Sequence, residues 1–168
     1  MRYDRILVVV DVPTVELYLL TAAIAYGKAT GAEVRFLHIL PFDQLTGVAD
    51  SEYDQTLICL RAWQAIARQS GVAASIAQGV NNPMQAVREM AQSWSADLIM
   101  IPKEQKSLSR FAQPLSYEAI AASVDCSVVA VQQLVGDAVS VQIRIKPTQK
   151  QQIAVTKAQL ELLFARSG

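Results

Sequence analysis

The strongest constraint on this chain is a rhythm in which short apolar runs alternate with longer segments of helical periodicity. In Arg5–Val10 every residue after the arginine is Ile, Leu or Val, the composition of a strand covered on both faces. Glu33–Ile39, Val72–Gln78, Asp97–Ile101 and Ser127–Val131 are further strand-length runs. The first intervening segment, residues 15–29, is apolar over a wide arc that includes Leu19, Leu20, Ala23, Ile24 and Tyr26, with Thr14 as its N-cap. Gly31 stands where a helix C-terminus favours glycine. Ser51 and Asp54 have the spacing of a capping box, and Tyr53, Leu57, Leu60 and Ala67 line the helix they open, which Gly71 ends. Asn82-Pro83 is a cap followed by a proline at the first helical position, and Val87, Met90, Ala91 and Trp94 form an apolar stripe behind it. A short helix is expected over Tyr117–Val124.

Strand–helix repeats that end on a strand predict an α/β fold: an open parallel sheet of five strands with helices on both faces. Ligands of such sheets lie beyond the carboxyl ends of the strands, where the strand order reverses. That rule singles out Asp11, the Leu40-Pro41 junction and Pro102.

The rhythm stops after Val131. Val139, Val141, Ile143 and Ile145 alternate with Ser140, Gln142, Arg144 and Lys146, which predicts one strand with a polar face over 139–145. Pro147 stops it, and Ile153 and Val155 suggest a second short extended piece. Thr156 and Gln159 repeat the capping-box spacing, and Leu160, Leu163 and Phe164 form the apolar face of a short helix over about 157–166. The expected organisation is a core domain over 1–131 and a carboxyl-terminal extension over 132–168.

Composition narrows the function classes. The 168 residues suit one domain, and 52% hydrophobic against 18% charged residues argues for a packed core and against disorder. No apolar run approaches the roughly 20 residues that span a bilayer. Met1-Arg2-Tyr3-Asp4-Arg5 leads directly into the first strand without the features of a secretory signal, so a cytoplasmic protein is expected. Cys59 and Cys126 have no cysteine at motif spacing and read as small core residues. His38 is the sole histidine, which excludes a histidine-rich metal cluster. Residues 1–131 hold ten basic and thirteen acidic residues, a net −3, and residues 132–168 hold five basic and two acidic, a net +3. A chain so balanced is a poor ligand for phosphate backbones, and no nucleic-acid partner is expected.

Several phrases then carry a resemblance. Asp4-Arg5-Ile6-Leu7-Val8-Val9-Val10-Asp11 resembles the opening strand and terminal aspartate of the universal stress proteins. Gly31-Ala32-Glu33-Val34-Arg35-Phe36-Leu37-His38-Ile39, Ala96-Asp97-Leu98-Ile99-Met100-Ile101 and Asp125-Cys126-Ser127-Val128-Val129-Ala130-Val131 resemble later strands of that family, in the same order. The resemblance implies a Rossmann-like fold and a link to stress responses. It also implies a homodimer through the last core strand at Val128, Val129 and Val131, to which the extension could add by pairing with a sheet edge in its own or a partner subunit.

Many members of that family hold ATP with Gly-x-x-Gly, nine residues, then Gly-Ser or Gly-Thr. Such glycines let backbone amides approach phosphate oxygens ahead of a helix N-terminus. Counted forward from the fourth strand, the three glycine positions fall on Pro102, Gln105 and Leu115, with Ser116 retained. Counted back from Glu118 and Cys126, the final pair falls on Pro114-Leu115. Neither register contains a glycine, and none occurs between Gly79 and Gly136. Phosphate binding in the family manner, and with it an ATP cofactor, is therefore not expected.

The resemblance places Asp11 at the adenine end of a nucleotide; without it, Asp11 is a polar strand terminus. Lys103, Lys106 and Arg110 are either a solvated loop face or a rebuilt anion site. Ser116 is either a retained phosphate ligand or a helix N-cap. No nucleophile elbow, metal-ligand cluster or Walker-type loop is present. The leading expectation is a non-enzymatic regulatory protein that acts through protein contacts. The alternatives are an ATP- or AMP-binding protein using Lys103, Lys106 and Arg110, and a small-molecule-binding protein or enzyme using the cleft near Asp11.

Overall fold

Core strands that are apolar on both faces bring helical layers to both sides of one sheet. The computed structural model describes residues 2–10, 17–40, 50–80, 82–103, 116–133, 138–145 and 149–156. The elements are β1 (Arg5–Val10), α1 (Leu17–Thr30), β2 (Glu33–Leu40), α2 (Asp50–Gln69), β3 (Ala74–Val80), α3 (Pro83–Ser93), β4 (Leu98–Pro102), α4 (Tyr117–Ser123), β5 (Ser127–Gln133), β6 (Ala138–Ile145) and β7 (Gln149–Thr156). They form one sheet in the order β3-β2-β1-β4-β5-β6-β7. β1 to β5 are parallel, as the alternation predicts.

Successive residues of a strand face opposite sides of a sheet. Ile6, Val8 and Val10 of β1 accordingly join Phe36, Met100, Val129 and Val131 in a core closed by Leu19, Leu20 and Ala23 of α1 and by Leu60 and Trp63 of α2. Leu7 and Val9 join Leu37, Ile99, Ile101 and Val128 in a second core, closed by Val87 and Ala91 of α3 and Ile120 of α4. Full burial of such side chains contributes about 1.5–3 kcal/mol each.

Helix ends follow local chemistry. The Asn82 side chain accepts from the Met84 and Gln85 amides at 3.0 and 3.3 Å, and Pro83 opens α3. Gly31 and Gly71 adopt φ of +75° and +87°, which L side chains avoid. After Gly71 the Val72 amide still donates to Ala67 O at 2.9 Å. Val72 therefore belongs to the helix cap, and β3 begins at Ala74, later than the apolar pattern suggests. The Thr14 cap and the helix expected over 157–166 lie outside the described residues.

The extension continues the sheet. β6 runs antiparallel to β5, with Val129 opposite Ile143, Val131 opposite Val141 and Gln133 opposite Val139. Within the chain, β6 thus lies along the edge of β5. The second extended piece is a full strand, β7, which pairs antiparallel with β6 over Gln149–Thr156. Its first half, Gln149–Gln152, has no apolar alternation, and ladder hydrogen bonds need none. Val128, Val129 and Val131, where the family resemblance places a subunit contact, are fully buried within the single chain between β4 and β6.

Candidate functional site

The sheet order reverses at β1, which lies between β2 and β4. α1 leaves β1 over one face, while α3 enters β4 from the other. The crevice of an open α/β sheet therefore falls at the carboxyl ends of β1 and β4.

β1 ends at Val10, and Asp11 lies outside the described residues. β4 ends at the buried Pro102, opposite Val131 of β5. Proline has no amide hydrogen to offer. The next amide, of Lys103, donates to Val131 O at 2.8 Å. The two positions where a phosphate loop would begin thus present no free backbone N–H. The Lys103 side chain is exposed, so a cation does stand at this end of the sheet. Lys106 and Arg110 lie outside the described residues. Ser116 is exposed at the start of α4, and its Oγ accepts from the Ala119 amide at 3.0 Å. It performs the work of an N-cap.

The amino ends of the strands carry a denser polar network. Asp97, directly before β4, accepts from the Asp4 amide at 2.7 Å and from the Arg5 amide at 3.1 Å. The Arg5 guanidinium donates to Trp94 O at 3.0 Å. The Asp97 backbone joins in, donating to Arg5 O and accepting from the Ser127 amide at 3.1 and 3.2 Å. Asp97 thereby ties together the first residues of β1, β4 and β5. Burial pushes the Tyr3 phenol above its ordinary value of 10, opposed by its hydrogen bond with Ser127 and reinforced by the nearby Asp97 carboxylate. In the sequence Asp97 stands only as the head of a strand phrase, and its fastening role depends on strands far apart in the chain. An acid immediately before a buried strand was the available signal.

A second polar cluster sits on β2 and β3. The Arg35 guanidinium lies 4.3 Å above the Trp94 ring and donates to Ser75 Oγ at 3.0 Å. Ser75 Oγ in turn donates to Glu33 Oε1 at 3.2 Å. These side chains come together only through the β2–β3 register, which pairs Arg35 with Ser75. The arrangement is a cation–π contact within a packed layer.

The remaining reactive side chains are structural in their surroundings. His38 is buried within the sheet, in register with Val10 on one side and Gln78 on the other. Cys59 and Cys126 are free and half-buried, and burial pushes the Cys59 thiol up, away from the nucleophilic thiolate. Among the described residues no group of three His, Cys, Asp or Glu could hold a metal ion. A hollow of about 310 Å³ lies at the amino end of the sheet, lined by residues that include Arg88, Gln92, Ser95, Asp125 and Cys126. It is on the opposite end from the switch-point crevice. Among the described residues no helix is long and apolar enough to cross a membrane.

A doubly wound parallel sheet whose crevice opens between β1 and β4 defines a Rossmann-like α/β protein. Within that class the chain belongs to the universal stress protein family, whose sequence model matches residues 2–132. A universal stress protein from Archaeoglobus fulgidus in complex with dAMP is similar in structure, with a TM-score of 0.57, 21% identity, and coverage of 76% of this chain and 97% of that one. UspA from Lactobacillus plantarum gives a TM-score of 0.61 at 18% identity, covering 77% and 98%. A family protein from Arabidopsis thaliana with AMP bound gives 0.53 at 11% identity, covering 79% and 93%. At these identities the likeness concerns the fold. No curated protein gives a significant sequence match.

Proposed function

We propose that this chain is a cytoplasmic, non-catalytic regulatory protein of the stress-response type, acting through protein contacts as a homodimer and not holding ATP in the family manner. The backbone at the end of β4 carries the reading. Pro102 lacks an N–H, and the Lys103 N–H is committed to Val131 O at 2.8 Å. A phosphate cradle needs free, convergent amides, and glycine is the residue that lets them converge. With β6 on the edge of β5, contact of Val128, Val129 and Val131 with a second subunit would require the hairpin to leave. The contact surface of this reading therefore falls on the extension.

A second reading is supported by the exposed Lys103 at the carboxyl end of β4 and by the structurally similar proteins that hold dAMP and AMP. In it, Lys103, Lys106 and Arg110 would hold nucleotide phosphates by charge instead of by backbone amides. Calorimetric titration of the purified chain with ATP, after extraction of any retained nucleotide, separates the two. The first reading expects no saturable binding up to millimolar ATP. Saturable binding that weakens at least tenfold in the Lys103→Ala/Lys106→Ala double variant would establish the second.

A further inference from the structure

Three helices of the fold stop in the left-handed backbone region, and one of them does so without glycine. α1 is followed by Gly31 at φ +75° and α2 by Gly71 at φ +87°. α3 is followed by Ser95 at φ +54°, a conformation that opposes an L side chain. α2 and α3 close with the same pair of hydrogen bonds. The Gly71 amide donates to Arg68 O at 3.0 Å and the Val72 amide to Ala67 O at 2.9 Å. The Ser95 amide donates to Gln92 O at 3.2 Å and the Ala96 amide to Ala91 O at 2.8 Å. Glycine suits the turn in both places, so the helix stop does not account for the serine.

Position does. Ser95 lines the hollow of about 310 Å³ at the amino end of the sheet, with Arg88 and Gln92 from α3 and with Asp125 and Cys126. Arg88, Gln92 and Ser95 follow one another at helical spacing and share a wall. Asp125 and Cys126 lie on the segment that joins α4 to β5. A hollow of this size admits a small molecule, and its lining carries one guanidinium and one carboxylate. The other lining hydroxyl, that of Ser123, serves the packing of α4 on α3, within reach of Ile120 O at 3.1 Å and Met84 Sδ at 3.3 Å.

We propose that this hollow binds a free α-amino acid as its zwitterion. The planar Arg88 guanidinium offers two parallel donors to the carboxylate. The Asp125 carboxylate accepts from the ammonium group, and Ser95 Oγ makes a further polar contact. An anion alone would use only Arg88 and a cation only Asp125, whereas a ligand bearing both charges uses both. Backbone strain kept at a residue that lines a cavity fits a hydroxyl retained for a ligand. The site lies at the opposite end of the sheet from the switch-point crevice and goes beyond the protein-contact reading.

Amide NMR on the full chain tests it, with each of the common amino acids added to millimolar concentration. At least one is expected to shift the amides of residues 88–96 and 123–126 saturably. Arg88 is exposed, so Arg88→Ala is expected to keep the melting temperature and to weaken this binding at least tenfold. The corresponding 2-hydroxy acid, which has the carboxylate but no ammonium, is expected to bind at least tenfold more weakly than the amino acid. Equal binding of the two would overturn the zwitterion, and so would the absence of any saturable shift.

Ser95→Gly separates a ligand contact from a helix stop. Relief of the backbone is expected to raise the melting temperature by about 2–4 °C, and loss of the hydroxyl is expected to weaken amino-acid binding at least threefold. A stabilised Ser95→Gly chain that binds as the wild type does would remove Ser95 from the site and overturn the proposal. ATP titration of the same samples is expected to be unchanged by all of these substitutions, which keeps this outcome distinct from that of the crevice.

Discussion

The two ends of β4 solve the same problem with different chemistry. At its amino end, the Asp97 carboxylate takes the amides of Asp4 and Arg5. At its carboxyl end, the Lys103 amide satisfies itself on the backbone of β5. One end is organised by a charged side chain, and the other is closed by the sheet. The contrast teaches where polarity means structure. Asp97 is a strand fastener, while at the end where α/β sheets bind ligands the first amide after Pro102 is committed to the sheet.

Replacing Asp97 by Ala is the most forceful way to break this comparison. It removes two charge-assisted hydrogen bonds at the exposed amino end of the sheet, where water can take over the amides, and is expected to cost about 1–2 kcal/mol in urea unfolding. A loss below about 0.5 kcal/mol would mean that the amino end is not held by this carboxylate. An alkaline titration sharpens the same point. Burial raises Tyr26 well above its ordinary value of 10, with Tyr3 adding to the shift, and burial raises Tyr3 as well. Both phenols resist ionisation in the fold but ionise near 10 when unfolded. Their contribution is present in full below pH 10 and is lost as pH rises beyond it, for Tyr26 by about 1.4 kcal/mol per pH unit. Tyr26→Phe is expected to flatten that slope, and an unchanged slope would remove Tyr26 from the account. The smallest effect belongs to the carboxyl end. Ser116→Ala is expected to lower stability by about 1 kcal/mol, as loss of an N-cap does, with nucleotide titrations unaltered. A change in nucleotide affinity would instead make the Ser116 hydroxyl a ligand.

The core was readable because buried parallel strands leave an uninterrupted apolar record. Ile6 to Val10 and Leu98 to Ile101 could hardly be anything else. Gly31 and Gly71 marked helix ends because the backbone there takes a shape that other residues resist. The apolar pattern starts β3 too early because Val72 is apolar for the sake of a helix cap. β7 was underestimated because its polar first half pairs through the main chain, which leaves no trace in side-chain pattern. The closed backbone at the carboxyl end of β4 is half legible in the sequence. Pro102 announced one lost amide, but the loss at Lys103 depends on Val131, far along the chain, and only the β4–β5 register exposes it. Asp97 and Arg35 were missed for the same reason, since each acts across strands that the sequence cannot place side by side.

Neighbouring residues of β2 give the molecule two separate optical markers. Phe36 meets the edge of Trp63 at 5.6 Å between ring centroids, within the α1–α2 layer. Arg35, one residue earlier and on the opposite face, holds its positive charge over Trp94 in the α3–α4 layer. One indole thus sits in an apolar setting and the other under a fixed cation. Their emission reports on two sides of one sheet, and single-tryptophan chains made by Trp63→Phe or Trp94→Phe would show by colour which helical layer lets go first.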